Sequence, residues 1–335
     1  MPELHIATSS EIIEASGLMH AMAKEVEQHY YGPSDFVDLF IASLIADGHI
    51  LMEATPGTSK TVLAKGAAVM LGGTFGRVQG SPDIRPADIT LNREPGLEPG
   101  SWQVVEGPIF NDVVLVDEGN RLTPKTQAAL LEAMEERQVT GFGETRKLPV
   151  NQKLIETQNP YAIGNGTSEL PDQTRDRFSF GLVMPKPEAK HKIAAWSRET
   201  KQPNFSSVIT ADTMGLSALR RIAQRRVRFT PELHERIIQI EKAFGQLTDN
   251  GDQLVTPGSQ ILVENSARPG QALSELARVM AILEENSNVE VGDIDYLAPV
   301  VYAHRIKPTH VAHDKGLSAT DIVEMAVEQA DHVEV

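Results

Sequence analysis

Apolar positions along this chain change register part of the way through. Up to residue 187, short apolar runs at 50–53, 75–79, 113–117, 154–158 and 178–184 alternate with helix-like segments or long insertions. Runs of that length, flanked by helices, predict strands of a mostly parallel sheet covered on both faces. Two helices precede the first run, one over 9–29 and one ending near Asp47-Gly48, with the breaker Tyr31-Gly32-Pro33-Ser34 between them. Thr123-Pro124 combines a capping residue with a first-turn proline, and Leu130, Leu131 and Met134 follow at helical spacing, so a helix packed on the sheet is expected there. Pro185-Lys186-Pro187 marks the exit from the sheet and Lys201-Gln202-Pro203-Asn204 reads as a loop. Beyond 206 the pattern is helical, over 211–227, 231–247, 269–286, 293–305 and 318–331. The organisation expected is a helical segment over 1–30, an α/β core over 31–187, a connecting helix and linker over 188–205, and a small all-α domain over 206–335. No internal repeat or low-complexity tract interrupts it.

Composition narrows the class. A chain of 335 residues buries enough surface for two domains. Hydrophobic residues make up 41%, yet no apolar stretch approaches the roughly 18 to 20 residues of a spanning helix, which argues for a soluble protein. Met1-Pro2-Glu3-Leu4-His5 lacks a basic region followed by an apolar one, so no secretory signal is visible and a cytoplasmic location is expected. The absence of cysteine removes disulfides and thiolate metal sites. A net charge of -15 disfavours long-range attraction to nucleic acid or anionic membrane. Arg220, Arg221, Arg225, Arg226 and Arg228 form a local basic stretch, expected to be a solvated or subunit-facing surface, with a phosphate groove as the minority reading.

Candidate chemistry lies at the ends of two strand candidates. The segment Ala54-Thr55-Pro56-Gly57-Thr58-Ser59-Lys60-Thr61 leaves a strand and enters a helix, so loop amides and the helix N-terminus would face a triphosphate. Lys60 would reach the β and γ phosphates and the Thr61 hydroxyl would ligate Mg²⁺. The run Val113-Val114-Leu115-Val116 ends in Asp117-Glu118, which brings Asp117 beside that ion and leaves Glu118 to orient or deprotonate water. The ordered pair of motifs describes an ATP-hydrolysing site.

Across Asp117-Glu118-Gly119-Asn120-Arg121, the stretch Pro124 to Val139, and Thr157-Gln158-Asn159-Pro160, the chain resembles the AAA+ ATPases and within them the MoxR family. The likeness runs from about Tyr31 to the C-terminal helices. It implies an AAA+ P-loop core with a five-stranded parallel sheet and a small helical lid. It also implies a ring, usually a hexamer, with ATP and Mg²⁺ at subunit interfaces, and chaperone-like remodelling or maturation of a client protein that often carries a von Willebrand factor A domain. By the same resemblance Tyr31, Gly32, Pro56, Gly57, Thr58, Ser59, Lys60 and Thr61 contact nucleotide, Asn159 is sensor 1, Arg177 is the arginine finger with Arg175 as its rival, and Arg268 is sensor 2. The insertion over 81–105 resembles the helix-hairpin element of this branch, which lines a pore and touches a client; an irregular surface loop is the plain alternative.

Four positions depart from the family pattern. Ala54 replaces a glycine, tolerable where its backbone angles suit alanine. Ser59 stands where glycine or alanine precedes the lysine, Gly119 replaces a bulky apolar residue, and Glu156 stands in a buried strand where a small residue is expected. An ionised Glu156 there is costly without a partner. Two rival functions stay open at this stage: a nucleic-acid remodelling ATPase, kept alive by the arginine stretch, and an ATP-binding scaffold that hydrolyses poorly, suggested by Gly119 and Glu156.

Overall fold

The computed structural model describes residues 10–30, 32–54, 59–159, 170–186, 189, 193, 204–208, 215–249 and 251–333. Pro187 and most of the connecting segment over 188–205 lie outside them. In chain order the first part comprises α1 (Ser10–Glu27), α2 (Ser34–Ile45), β1 (His49–Glu53), α3 (Lys60–Met70), β2 (Phe75–Gln79), α4 (Pro86–Ile89), β3 (Leu91–Pro95) and β4 (Trp102–Glu106). It continues with β5 (Val113–Asp117), α5 (Pro124–Glu136), β6 (Gln138–Gly141), β7 (Glu144–Lys147), β8 (Lys153–Gln158), α6 (Asp172–Arg175) and β9 (Phe178–Val183).

All five expected strands pair into one sheet, in the order β2-β5-β8-β1-β9, and every neighbouring pair is parallel. Side chains alternate across it. Ile50, Met52, Val113, Leu115 and Ile155 face one apolar core with α1, α2, α3 and the C-terminal helices. Leu51, Val114, Val116, Leu154 and Phe178 face a second core with Leu130, Ala133 and Met134 of α5. Thr123 caps α5 as expected, its hydroxyl accepting from the Thr126 amide.

The C-terminal region holds α7 (Leu216–Arg226), α8 (Pro231–Ala243), α9 (Pro257–Glu264), α10 (Arg268–Leu283), α11 (Val291–Tyr302), α12 (His310–Asp314) and α13 (Ala319–Gln329). This is the helical lid that the pattern predicts, with two further helices, α9 and α12. The N-terminal helix α1 is built into it: Met19, Met22 and Val26 are buried, and the Ser16 hydroxyl donates to the Leu283 carbonyl at 3.3 Å. Among the described residues no helix is long and apolar enough to cross a membrane.

The insertion is an ordered helix and hairpin, α4 followed by the antiparallel pair β3–β4, with Pro86 as the first residue of α4. A second hairpin, β6–β7, was not expected. Its turn is made by Phe142 (φ 53°) and Gly143 (φ 84°), both in the left-handed region that two-residue hairpin turns require.

Lys153 opens β8 with its side chain fully buried. Its Nζ donates to Ser43 O at 3.1 Å, Gly48 O at 2.8 Å and Ala46 O, and so closes the carbonyl end of α2. Beside it Asp47 accepts from Arg137 at 2.9 Å and Arg220 at 3.1 Å, tying α5 and the lid helix α7 to the base of the sheet.

Candidate nucleotide site and the arginine cleft

The loop between β1 and α3 starts with Ala54, whose amide donates to Gln158 O at 3.0 Å and so extends the β1–β8 ladder by one residue. Ala54 is not among the positive-φ residues, so alanine fits where the family pattern has glycine. Ser59 is strained by comparison: it caps α3 in the left-handed region, at φ 60° and ψ 14°. Lys60 and Thr61 open α3, where the first-turn amides have no acceptor within the helix and suit an anion. Tyr31, Pro56, Gly57 and Thr58 lie outside the described residues. Gly32 lies against the Tyr30 ring, which leaves no room for a side chain there.

β5 delivers the acidic pair. Lys60 Nζ lies 3.8 Å from Asp117 Oδ1, so the two strand ends converge. The same oxygen accepts from the Thr157 hydroxyl at 2.8 Å, and that hydroxyl accepts in turn from the Glu118 amide at 3.0 Å. Thr157 thus pins both acidic residues to β8. Asp117 Oδ2 is held by Arg77 of β2 at 2.9 Å, and Glu118 Oε2 by Arg121 at 2.8 Å. Glu118 itself is left-handed, at φ 56° and ψ 46°. The chain accommodates this turn by bringing Gly80 so close that a Cβ there would stand 2.0 Å from Glu118 O. A hydroxyl (Thr61) and a carboxylate (Asp117), both hard oxygen donors, are the set that Mg²⁺ takes when substrate phosphates complete its shell. Asn159 follows the end of β8, one residue beyond Gln158, which donates to Glu53 at 2.6 Å.

Gly119 and Glu156, the two oddest departures, meet one another. Glu156 is 3% exposed, and a Cβ built on Gly119 would stand 2.3 Å from its Cδ and Oε1. Burial pushes the Glu156 pKa from 4.5 up to about 8, so the carboxyl carries a proton at neutral pH.

The remaining candidates gather elsewhere. Arg268, the first residue of α10, donates to Asp176 Oδ2 at 2.9 Å and to Glu135 Oε1 at 3.1 Å, and Arg177 also contacts Glu135 Oε1. Arg305, 1% exposed, fixes the other Asp176 oxygen at 3.3 Å. Arg177, Arg268, Glu135 and Asp176 line a cleft of about 340 Å³ that Asp47, Arg137 and Glu275 also border. Burial, then the like charge of Arg268, lowers the Arg177 pKa. Arg175 is excluded from this cleft and turns to Asp172 at 2.7 Å. Arg177 precedes β9, whereas Lys60 follows the parallel neighbour β1; with Phe178 beside His49 and Val183 beside Glu53, the two groups lie at opposite ends of the strands, roughly 16 Å apart along them.

The motifs alone did not point to Arg77, Arg121, Thr157, Glu135 or Asp176. Only Thr157 had a readable signal: a hydroxyl at the inward-facing register position beside the end of an acid-bearing strand.

The basic stretch divides. Arg220 turns inward to Ile45 O and Asp47, and Arg226 pairs with Glu11 of α1 at 2.5 Å.

Comparison with known proteins agrees with this architecture. Residues 49–180 match the ATPase family associated with various cellular activities (AAA), and residues 261–326 match the AAA lid domain. The uncharacterized protein YeaC of Bacillus subtilis (strain 168) is 33% identical over 309 residues, covering 91% of this chain and 92% of that protein. Chaperone MoxR1 of Mycobacterium tuberculosis is 30% identical over 86% of this chain and 75% of its own length, and protein MoxR of Methylorubrum extorquens is 28% identical over 84% and 85%. A crystal structure from Cytophaga hutchinsonii, of a protein assigned as an ATPase, superposes with a TM-score of 0.79 at 25% identity, covering 95% of this chain and 96% of that one. With an AAA core, an AAA lid and relatives of this identity along most of its length, the chain belongs to the MoxR family of AAA+ ATPases.

Proposed function

We propose that the protein hydrolyses ATP with Mg²⁺ and uses the cycle to remodel or mature a client protein. The observation that carries this reading is the convergence of Lys60, Asp117 and Glu118 at the carboxyl ends of β1 and β5, where parallel α/β sheets bind ligands. Lys60 and the first amides of α3 hold the phosphates. Thr61 and Asp117 would hold Mg²⁺, which supplies charge neutralisation on the β and γ phosphates. Glu118 orients water and takes its proton as the water oxygen bonds to the γ-phosphorus and the bond to the ADP oxygen breaks. Asn159 holds the water or the γ-phosphate by its amide. To act, Glu118 has to leave Arg121, and Mg²⁺ has to compete with Arg77 for Asp117.

Charge developing on the phosphoryl group needs a further cation, and at this end of the sheet Arg77 and Arg121 are already paired with Asp117 and Glu118. Arg177 and Arg268 fill that role from a neighbouring copy in a ring, since within one chain they lie at the opposite end of the strands from Lys60. A hexamer in the cytoplasm is the assembly the resemblance implies. The hairpin β3–β4 holds Leu97 and Trp102 exposed to solvent and the β6–β7 turn does the same with Phe142, apolar surface suited to a client. The client class is a protein with a von Willebrand factor A domain. The inward turn of Arg220 and the pairing of Arg226 take up two of the five arginines of the basic stretch, while Arg221, Arg225 and Arg228 are exposed.

Phosphate release by the purified chain with Mg-ATP tests the reading. Turnover abolished by chelating Mg²⁺ and by Glu118→Gln supports it; turnover unchanged in Glu118→Gln, or absent from the wild type, overturns it. Stimulation by polynucleotide at low salt would move the client from protein to nucleic acid.

A further inference from the structure

Glu156 has no part in the chemistry above, yet it packs against the turn that carries Glu118. In β8 it alternates with Thr157, so the two project to opposite faces, and β8 is paired with β5 through Val116 and Glu156. Thr157 grips Asp117 and the Glu118 amide from the α3 side. Glu156 meets Gly119 from the α5 side, with its Cγ 2.6 Å and its Cδ 2.3 Å from where a Cβ on residue 119 would be. The left-handed Glu118 is therefore bracketed by consecutive residues of one strand.

Gly119 is not needed for its backbone: it opens a 3₁₀ turn and is absent from the positive-φ glycines. Its value is the space it leaves, and Glu156 occupies that space. Neither residue fits without the other, since a side chain at 119 collides with Glu156 and a small residue at 156 leaves a void beneath the turn. The Glu156 Oε1 atom is buried and makes no hydrogen bond, so the carboxyl is retained here for its shape rather than for a polar contact.

We propose that Glu156 is a positioning residue for Glu118, acting as a matched pair with Gly119 to hold the turn after β5 in its left-handed geometry. The proposal rests on the ATPase reading of the site. It makes the two departures from the family pattern a single feature: the bulk that the pattern has at 119 has moved to 156.

The test is a double-substitution cycle on the full chain, with Mg-ATP turnover, ATP binding and thermal unfolding measured for each variant. Glu156→Ala is expected to lower kcat by about tenfold with KM within about twofold, because a misplaced base harms the transition state and not ground-state binding. Gly119→Ala is expected to lower kcat by at least as much. The pair Gly119→Ala/Glu156→Ala is expected to recover to within about threefold of the wild type, the non-additivity of residues in contact. Glu156→Gln keeps the shape and is expected to stay within about threefold. A wild type without turnover would overturn the ATPase reading itself. Turnover in the wild type together with additive single effects, or a Glu156→Ala variant with unchanged kcat, would overturn the positioning role alone. A Glu156→Gln variant as slow as Glu156→Ala would also overturn it, since shape would then not be what counts. If Gly119→Ala fails to fold, the Glu156→Ala, Glu156→Gln and double variants still decide the question.

Discussion

At the carboxyl ends of β1 and β5 each carboxylate of the acidic pair is already in contact with a cation: Asp117 with Lys60 and Arg77, and Glu118 with Arg121. At the amino end of β9 two arginines, Arg177 and Arg268, share Glu135, and Asp176 is divided between Arg268 and the buried Arg305. The first end is a place where a metal and a triphosphate have to displace existing partners. The second is a cleft in which Arg137, Arg177 and Arg268 alternate with Asp47, Glu135, Asp176 and Glu275. The difference teaches that Arg177 and Arg268 do not share a pocket with Lys60 in one chain, and it is the reason the proposed mechanism draws its arginines from a second copy.

The largest expected effect falls on the end that holds Arg177. Arg177→Ala should retain ATP but slow turnover by about 10³-fold, the loss typical of an arginine that meets transition-state charge. Single-turnover phosphate release checks it, and Arg175→Ala, whose guanidinium faces Asp172, should cost far less. At the carboxylate end Glu118→Gln should lower turnover by about 10²-fold while ATP binding, followed by titration, stays close to wild type. A smaller effect separates the two ends by sign. Arg77→Ala should tighten the Mg²⁺ dependence of turnover by a few fold, because a half-exposed guanidinium competing for Asp117 is worth only about 1 kcal/mol. An Mg²⁺ titration that shifts the other way would mean that Arg77 supports Asp117.

A separate effect, outside turnover, is on stability. Burial raises the Glu156 pKa from 4.5 to about 8, so between those values the native state holds a proton that the unfolded chain has released. Stability contributed by that proton is complete below the unfolded value and is lost as pH rises through the window, at up to about 1.4 kcal/mol per pH unit. Denaturant unfolding of the wild type against Glu156→Gln should show that slope in the former and a flatter profile in the latter.

β1 and β5 were legible in the sequence because each is an apolar run buried on both faces, and β9 because apolar Phe178, Phe180 and Leu182 alternate along its buried face. The hairpin β6–β7 was not, since Val139 is its one fully buried strand residue among polar neighbours, and a phenylalanine at φ 53° is a weak turn signal. Helix α9 carries the signature Thr256-Pro257, the same cap and first-turn proline that marks α5 at Thr123-Pro124, but its eight residues give little periodicity to confirm it. The carboxylate end was readable because its residues are consecutive in motifs. The partners Arg77, Glu135 and Asp176 come from separate elements and meet through topology alone. Glu156 stood out in the sequence as a cost; its relation to Gly119, thirty-seven positions away in sequence terms of roughly one α/β unit, needed coordinates.

The most direct test of a site shared between copies is to mix Arg177→Ala subunits with Lys60→Ala subunits, after mixed assemblies have been verified by an independent label. Each variant alone should be nearly inactive. Mixed assemblies should regain turnover, because an intact Lys60 site can then face an intact Arg177. Mixed assemblies that form and remain inactive, while Arg175→Ala subunits do regain turnover with Lys60→Ala subunits, would contradict the assignment of Arg177 and of the cleft it shares with Arg268.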